Sequence, residues 1–235
     1  KRRGGDAWGD GRDLRARPAP KLRKLETDAR EDGAVVVVWT ETHASGDELE
    51  AMRGWLAGKG WGTEATAGYV TATGRIRGGV IIAWREEVMK RERKGGDGPG
   101  EGELLRGRLV AARLVAMASG ERLKVVGAYA PGRQEQRGRA AEVVREEGER
   151  AGEHTERERQ AVEEFWTKLE ESAGEEGVAI VGDLNAELAE ALRRRGAEGK
   201  AQDARLQAMV ENRRLEPKTA GEATWYGKEG EESEI

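Results

Sequence analysis

Apolar residues first mass without polar interruption at "AVVVVW" (residues 34–39), a β-branched run that reads as a central strand running on into "TETH". Before it, a helix is expected from Pro18, with Leu22, Leu25 and Ala29 on one face, and residues 1–17 read as irregular. After it, Ser45 with Glu48 three positions on forms a capping box. That box opens a helix with Leu49, Met52 and Leu56 on one face, and Gly58 is placed to close it. "GYVTATG" and "GGVIIAW" read as two strands joined by a turn. "GRLVAARLVAM" and "ERLKVVGAYAP" read as a hairpin about Ser119 and Gly120. Val162, Phe165, Trp166 and Leu169 recur at helical spacing, and the short run Val178–Val181 reads as a strand buried on both faces. A helical stretch carrying Leu206, Met209 and Val210 follows, and then the tail "ATWYGKEGEESEI". Strands therefore come in pairs with helices between them, which predicts two packed sheets with helices outside.

Two stretches interrupt this pattern. Residues near 88–103 and 132–157 are charged and almost free of periodic apolar positions. They are expected to be insertions outside the core, the second either a solvated helix or a mobile insertion, since they cannot offset ordering entropy by burial. The expected organisation is one domain over residues 18–235 that carries both insertions.

Polar groups recur at one kind of place. Glu41, Tyr129 and the pair Asp183/Asn185 each follow an apolar run, at the C-terminal end of a strand. Open α/β sheets keep their ligands there. Singly, each has a plain alternative: Gly182, Asp183 and Asn185 are turn formers, Tyr129 packs before Pro131, and Glu41 is a surface acid. Three such ends in order are harder to assign to turns and surface alone.

Composition removes some chemistries. The 235 residues contain no cysteine, so disulfides and Cys-ligated zinc are excluded. The two histidines, His43 and His154, lie far apart, and neither belongs to a His-ligand motif. Net charge is −4, so no global basic field draws the chain to nucleic acid, and the local clusters "KRERK" and "RRR" read as solvated faces. No apolar run approaches membrane-spanning length and the first residues lack a signal-peptide core, so a soluble intracellular protein with no membrane partner is expected.

The strand-end residues also carry a family resemblance. "ETH" resembles the Q-E-T-H of the endonuclease/exonuclease/phosphatase superfamily, most closely of the apurinic-like endonuclease domain of non-LTR (LINE-type) retrotransposons, with Thr40 in place of Gln. "GGVIIAW" resembles that family's G-G-V-A-I-L, "VVGAYAP" its N-V-Y-A-P, "VGDLNAEL" its G-G-D-F-N, and the tail its T-W…S-x-I-D. The likeness runs in order over roughly residues 20–235. It implies a four-layer α-β-β-α sandwich of two packed mixed sheets, DNase I-like. It also implies hydrolysis of DNA phosphodiesters with Mg²⁺ (or Mn²⁺), a reverse transcriptase domain in the parent chain, and a nuclear location. By the resemblance Glu41 would hold the metal, Asp183 would orient or deprotonate the attacking water, and Asn185 would hold the water or the phosphate. Tyr129 would donate to a phosphate oxygen, and His43 is a further candidate for substrate contact.

The chain also departs from that pattern. The family's first strand ends in an Asn, whereas the asparagines here are Asn185 and Asn212 alone; the family's S-D-H lies beyond S-x-I-D, and the 235 residues stop at Ile235. The resemblance thus implies a piece truncated at both ends, with terminal strands missing and impaired activity. Other readings are an abasic-site repair nuclease or phosphatase of the same fold, and a non-catalytic remnant that binds nucleic acid.

Overall fold

The computed structural model describes residues 20–70, 74–92, 101–131, 150–186, 201–213, 215, 225–226 and 232–233. The valine run forms β1 (Val36–Thr40), which pairs antiparallel with β5 (Val80–Arg85). On its other side β5 pairs antiparallel with β2 (Trp61–Thr66), giving a three-stranded sheet ordered β1-β5-β2. The second sheet is ordered β10 (Val178–Asp183), β9 (Arg122–Tyr129), β8 (Leu109–Ala116), β6 (Met89–Arg91), with a further strand on β8. Its centre is the hairpin β8 (Leu109–Ala116) and β9 (Arg122–Tyr129), turning at the expected Ser119–Gly120. β10 (Val178–Asp183) runs parallel to β9, so this sheet is mixed, while the first is antiparallel throughout its described strands.

Burial parity explains the four layers. Val80, Ile82 and Trp84 of β5 face Val110, Ala112, Leu114 and Val125 of the second sheet, and Val36 and Val38 pack against the same cluster. The opposite face of the first sheet, with Ile81, Ala83 and Trp61, is covered by α1 (Pro20–Glu31) and α2 (Asp47–Ala57) through Ala29, Leu49 and Leu56. The outer face of the second sheet, with Leu109, Ala111, Val126 and Ala128, lies under α3 (Arg150–Ala173) and α4 (Ala201–Asn212). Phe165, Trp166, Leu169, Leu206 and Met209 fill that layer. Both parities of β5 and β8 are buried, which is why their sequences lack polar alternation. Gly127 lets the sheets approach: a Cβ there would lie 2.9 Å from Val80 Cγ1 and 3.2 Å from Val38 Cγ1.

Several sequence expectations need correction. β5 pairs with β2, whose polar "WGTEAT" carries little strand signal, while Tyr69–Val70 (β3) pairs instead with Ile76–Arg77 (β4) in a separate ribbon. The N-cap of α2 is Gly46, with no side-chain cap bond, so Ser45 and Glu48 form no capping box there. Acidic Asp47, Glu48 and Glu50 in the first turn complement the helix dipole instead. Gly58 does close α2 as expected, in a right-handed conformation at φ −61°, with its N–H donating to the Gly54 carbonyl at 3.0 Å. In α1 the buried position beside Leu22 and Ala29 is Glu26, with Leu25 half-buried. Its carboxylate accepts from Trp61 Nε1 at 3.1 Å and from Arg30 Nε. Burial pushes the Glu26 pKa up, but the bonds from Arg30 and Trp61 and the nearby cations outweigh it, and the net shift is downward.

β1 and β10 were expected to be fully covered, yet each is an edge strand of its described sheet. β1 is half-buried along its length, and Val181 on β10 is 43% exposed. Apolar composition signals that a strand seeks cover on both faces, and it does not say which neighbours supply it. The interrupting stretches are also narrower than expected. Met89–Arg91 (β6) and Glu103–Leu105 (β7) pair with β8, and Met89 is in the core. Residues 150–157 belong to α3, while 93–100 and 132–149 lie outside the described residues, as do 1–17. In the tail, Trp225–Tyr226 (β11) pairs with Glu232–Ser233 (β12). Among the described residues no helix is long and apolar enough to cross a membrane.

Candidate active site

Three strand ends converge. β9 finishes at Tyr129 and β10 at Asp183, and these two are register partners in a parallel pair. Their side chains therefore leave the same face of the sheet, from strands roughly 4.8 Å apart. The Ala130 amide donates to the Asp183 carbonyl at 2.8 Å, which holds the two ends level. β1 packs across both strands, and Glu41 is the first residue beyond it. The Tyr129 hydroxyl donates to Glu41 Oε1 at 2.5 Å, which closes the gap between the sheets. Asn185 is tied in twice: its Nδ2 donates to the Ala130 carbonyl at 2.8 Å, and its backbone N–H donates to Asp183 Oδ1 at 2.9 Å. The second bond is an Asx turn, so the plain turn reading of Asp183 holds alongside its placement next to Tyr129. His43 Nε2 lies 3.9 Å from Glu41 Oε1, with both side chains 45% exposed. All five residues singled out from the sequence thus lie in one neighbourhood.

The backbone here is unusual. Glu41, His43 and Asn185 have φ of 52°, 52° and 48°. Asparagine and histidine visit this left-handed region more readily than most residues, whereas for Glu it costs about 1–2 kcal/mol. Gly78 and Gly79 hold the segment in place. Thr42 N–H donates to the Gly79 carbonyl at 3.2 Å and His43 N–H to the Gly78 carbonyl at 2.9 Å. Gly79 has φ +91°, and a Cβ on it would sit 2.3 Å from Thr42 Oγ1. The "ETH" and "GGV" motifs, far apart in sequence, are hydrogen-bonded partners. Gly182 explains why the Val178–Val181 run stops where it does: at φ +148°, a Cβ there would meet the Ala128 carbonyl oxygen at 1.9 Å.

Sequence reasoning missed two residues. Arg108, just before β8 and almost fully buried, places its guanidinium carbon 4.9 Å from the ring centroids of both Tyr129 and Tyr69. Its Nη1 donates to the Ala130 carbonyl at 3.3 Å and its Nη2 to the Tyr69 hydroxyl. A signal for Arg108 was present, because the β8–β9 register counted outward from Ser119–Gly120 puts Arg108 opposite Tyr129, whose N–H donates to the Arg108 carbonyl at 2.8 Å. Tyr69 had none, since its strand pairs outside the two main sheets.

The donor set is all oxygen: the carboxylates of Glu41 and Asp183 and the amide of Asn185. Hard cations such as Mg²⁺ favour oxygen, and Mg²⁺ commonly takes one or two carboxylates and keeps several waters. Among the described residues no group of three or more acidic or histidine side chains forms a metal cluster. The residues fit a cation held by few protein ligands, and do not fit an all-protein cage.

No family model and no curated protein matches the chain. Solved structures do. The chain is similar to the endonuclease domain of TRAS1, a telomere-specific non-LTR retrotransposon, at 12% identity and TM-score 0.44, covering 85% of this chain and 66% of that one. It is similar to the human Nocturnin catalytic domain with bound sulfate at 13% identity and TM-score 0.42, covering 72% and 58%. A third is an endonuclease/exonuclease/phosphatase family protein from Bacteroides thetaiotaomicron, at 14% identity and TM-score 0.37, covering 70% and 53%. The chain thus spans between 53% and 66% of the length of these three structures. The solved structures that the chain is similar to are members of the superfamily that its motifs resemble, the endonuclease/exonuclease/phosphatase superfamily.

Proposed function

We propose that this chain is a metal-dependent phosphodiesterase, the DNA-nicking endonuclease domain of a retrotransposon-type protein. The observation that carries the reading is the Tyr129 hydroxyl bonded to Glu41 while Asp183 sits beside Tyr129 in strand register. An acid, a phenol and a second acid with its amide neighbour meet there, a set able to hold a cation, take a proton and donate to a phosphate oxygen.

In this reading Asp183 takes the proton of a water attacking phosphorus; one of its oxygens accepts the Asn185 N–H and the other accepts that proton. Asn185, anchored on the Ala130 carbonyl, presents its amide oxygen to the same water. Tyr129 turns its hydroxyl from Glu41 to a non-bridging phosphate oxygen, stabilising charge as it builds up. Half-exposed His43 contacts the substrate at the rim. A Mg²⁺ or Mn²⁺ ion, when bound, is held by Glu41 and supplies neutralising charge at the phosphate. DNA is the proposed substrate, a reverse transcriptase domain the proposed neighbour in the parent chain, and the nucleus the proposed location.

A second reading, a non-catalytic remnant that binds nucleic acid, is favoured by the half-exposed edges β1 and β10. One experiment separates the two. Supercoiled plasmid is incubated with the chain at high concentration, with Mg²⁺ or with chelator. Slow nicking that needs Mg²⁺ and disappears in Asp183→Ala and Glu41→Ala is expected. Plasmid binding with no nicking at any concentration sinks the catalytic reading in favour of the remnant.

A further inference from the structure

We propose that Arg108, seated between the rings of Tyr69 and Tyr129, is a positioning residue that sets the orientation of the Tyr129 hydroxyl and, through the Ala130 carbonyl, of Asn185. As an account of the site it rests on the function proposed above; as an account of geometry it stands without it. Three contacts carry it. The guanidinium carbon lies 4.9 Å from each ring centroid, so one flat cation fills the slot between two phenols. Its Nη1 donates to the Ala130 carbonyl, which also accepts Asn185 Nδ2. Its Nη2 donates to the Tyr69 hydroxyl, which fixes the far wall of the slot.

The slot is built for that wall. A Cβ on Gly107 would sit 2.7 Å from Tyr69 Cδ1, and one on Gly78 would sit 3.0 Å from Tyr69 Cε1, so the ring fits because both neighbours are glycine. Planarity matters here. A guanidinium stacks on aromatic faces and still bonds in its own plane, whereas a lysine ammonium on a flexible stem does neither in the same way. The side chain is almost fully buried, so it does not reach substrate itself. Its influence passes through Tyr129 and Asn185.

The test uses the full chain with ¹³C-labelled tyrosine. In Arg108→Gln the Tyr129 ring resonances are expected to shift and broaden while the amide fingerprint of β8 and β9 stays in place, and Arg108→Lys does not restore them. Tyr129 resonances in Arg108→Gln that coincide with wild type overturn the proposal, whether or not the protein nicks DNA. Where nicking is measurable, Arg108→Gln lowers kcat roughly 10- to 100-fold, the scale for a misplaced catalytic group, with KM changed less than about twofold. That loss shrinks in a Tyr129→Phe background to the part that passes through Asn185, and an equal loss in both backgrounds overturns the route through Tyr129. If wild type does not nick at all, the functional reading fails, and the ring resonances still decide the geometry.

Discussion

Replacing Glu41 by glycine should leave the protein more stable than replacing it by alanine, although both changes delete the same hydrogen bond. Glu41 sits at φ 52°, where a residue with a Cβ costs about 1–2 kcal/mol and glycine nothing. Glycine gives back about 0.5–1 kcal/mol by loosening the unfolded chain. The net advantage of glycine over alanine is therefore about 0.5–1 kcal/mol. The lost Tyr129–Glu41 bond is common to both variants and cancels in the difference. Because Glu41 is 45% exposed, that shared loss is about 1 kcal/mol, below the range for a bond to a buried charged group. Alanine should thus cost about 1 kcal/mol against wild type, and glycine about 0–0.5 kcal/mol.

The assay is urea denaturation at fixed m-value, where the glycine variant shows the higher midpoint. A thermal scan should separate the two variants by about 1–4 °C, given about 2–4 °C per kcal/mol for chains of this size. Neither variant should nick DNA, so stability and activity part company at one residue. Strain that persists at an acidic side chain near a candidate catalytic Asp fits a position kept for chemistry rather than folding. A glycine variant no more stable than alanine would refute the left-handed backbone at Glu41, and with it the argument that "ETH" is held under strain by Gly78 and Gly79.

Other expectations follow from the same structure. Gly79→Ala places a Cβ 2.3 Å from Thr42 Oγ1 at φ +91°, and should cost about 1–3 kcal/mol in chemical denaturation and displace Glu41 and His43 in amide spectra. Glu26 has a lowered pKa, so its contribution is present above the ordinary carboxylate range and is lost as pH falls through the folded value; Glu26→Gln should flatten the fall in unfolding free energy between about pH 5 and pH 2. Lys124, 4% exposed, bridges Glu101 at 3.0 Å and Glu175 at 2.7 Å, and Arg113 contacts both acids. Lys124→Met should destabilise by about 1–3 kcal/mol in urea titration, less than an isolated buried pair because Arg113 remains and Glu175 is partly exposed. Glu175 is held below its ordinary pKa, first by the Lys124 hydrogen bond, so the same variant should also lose part of its acid-limb slope.

What was legible in the sequence divides along physical lines. Hydrophobic run length and helical spacing depend on local pattern, and they locate β1, β5, β8, β9, β10 and the buried face of α3. Partner choice depends on the rest of the molecule. That is why β2, with its polar "WGTEAT", went unseen, and why Tyr69 was paired with the wrong strand. Glu26 hides from periodicity for a related reason. An acid on a buried helix face is tolerated once Trp61 and Arg30, contributed from elsewhere on β2 and α1, satisfy its oxygens. The strand-end residues were legible because chemistry and topology coincide there, each polar group standing where an apolar run stops.

Arg108 marks the boundary of that legibility, and the reason is instructive for reading other chains. Counting register outward from one hairpin turn is enough to set it opposite Tyr129. No counting could place Tyr69 on its other side, because that contact depends on the β3–β4 ribbon and on two glycines, Gly78 and Gly107, that leave room for the ring. Those glycines serve both halves of the site. Gly78 accepts the His43 N–H, and the Gly107 carbonyl accepts the Gly79 N–H, so the backbone that holds "ETH" also walls the slot for Tyr69. Glu41 and the phenol that donates to it are therefore supported by one continuous run of close backbone contacts. A bulky residue at Gly78 or Gly107 should disturb Glu41 and Tyr129 together, whereas independent supports would let one move without the other.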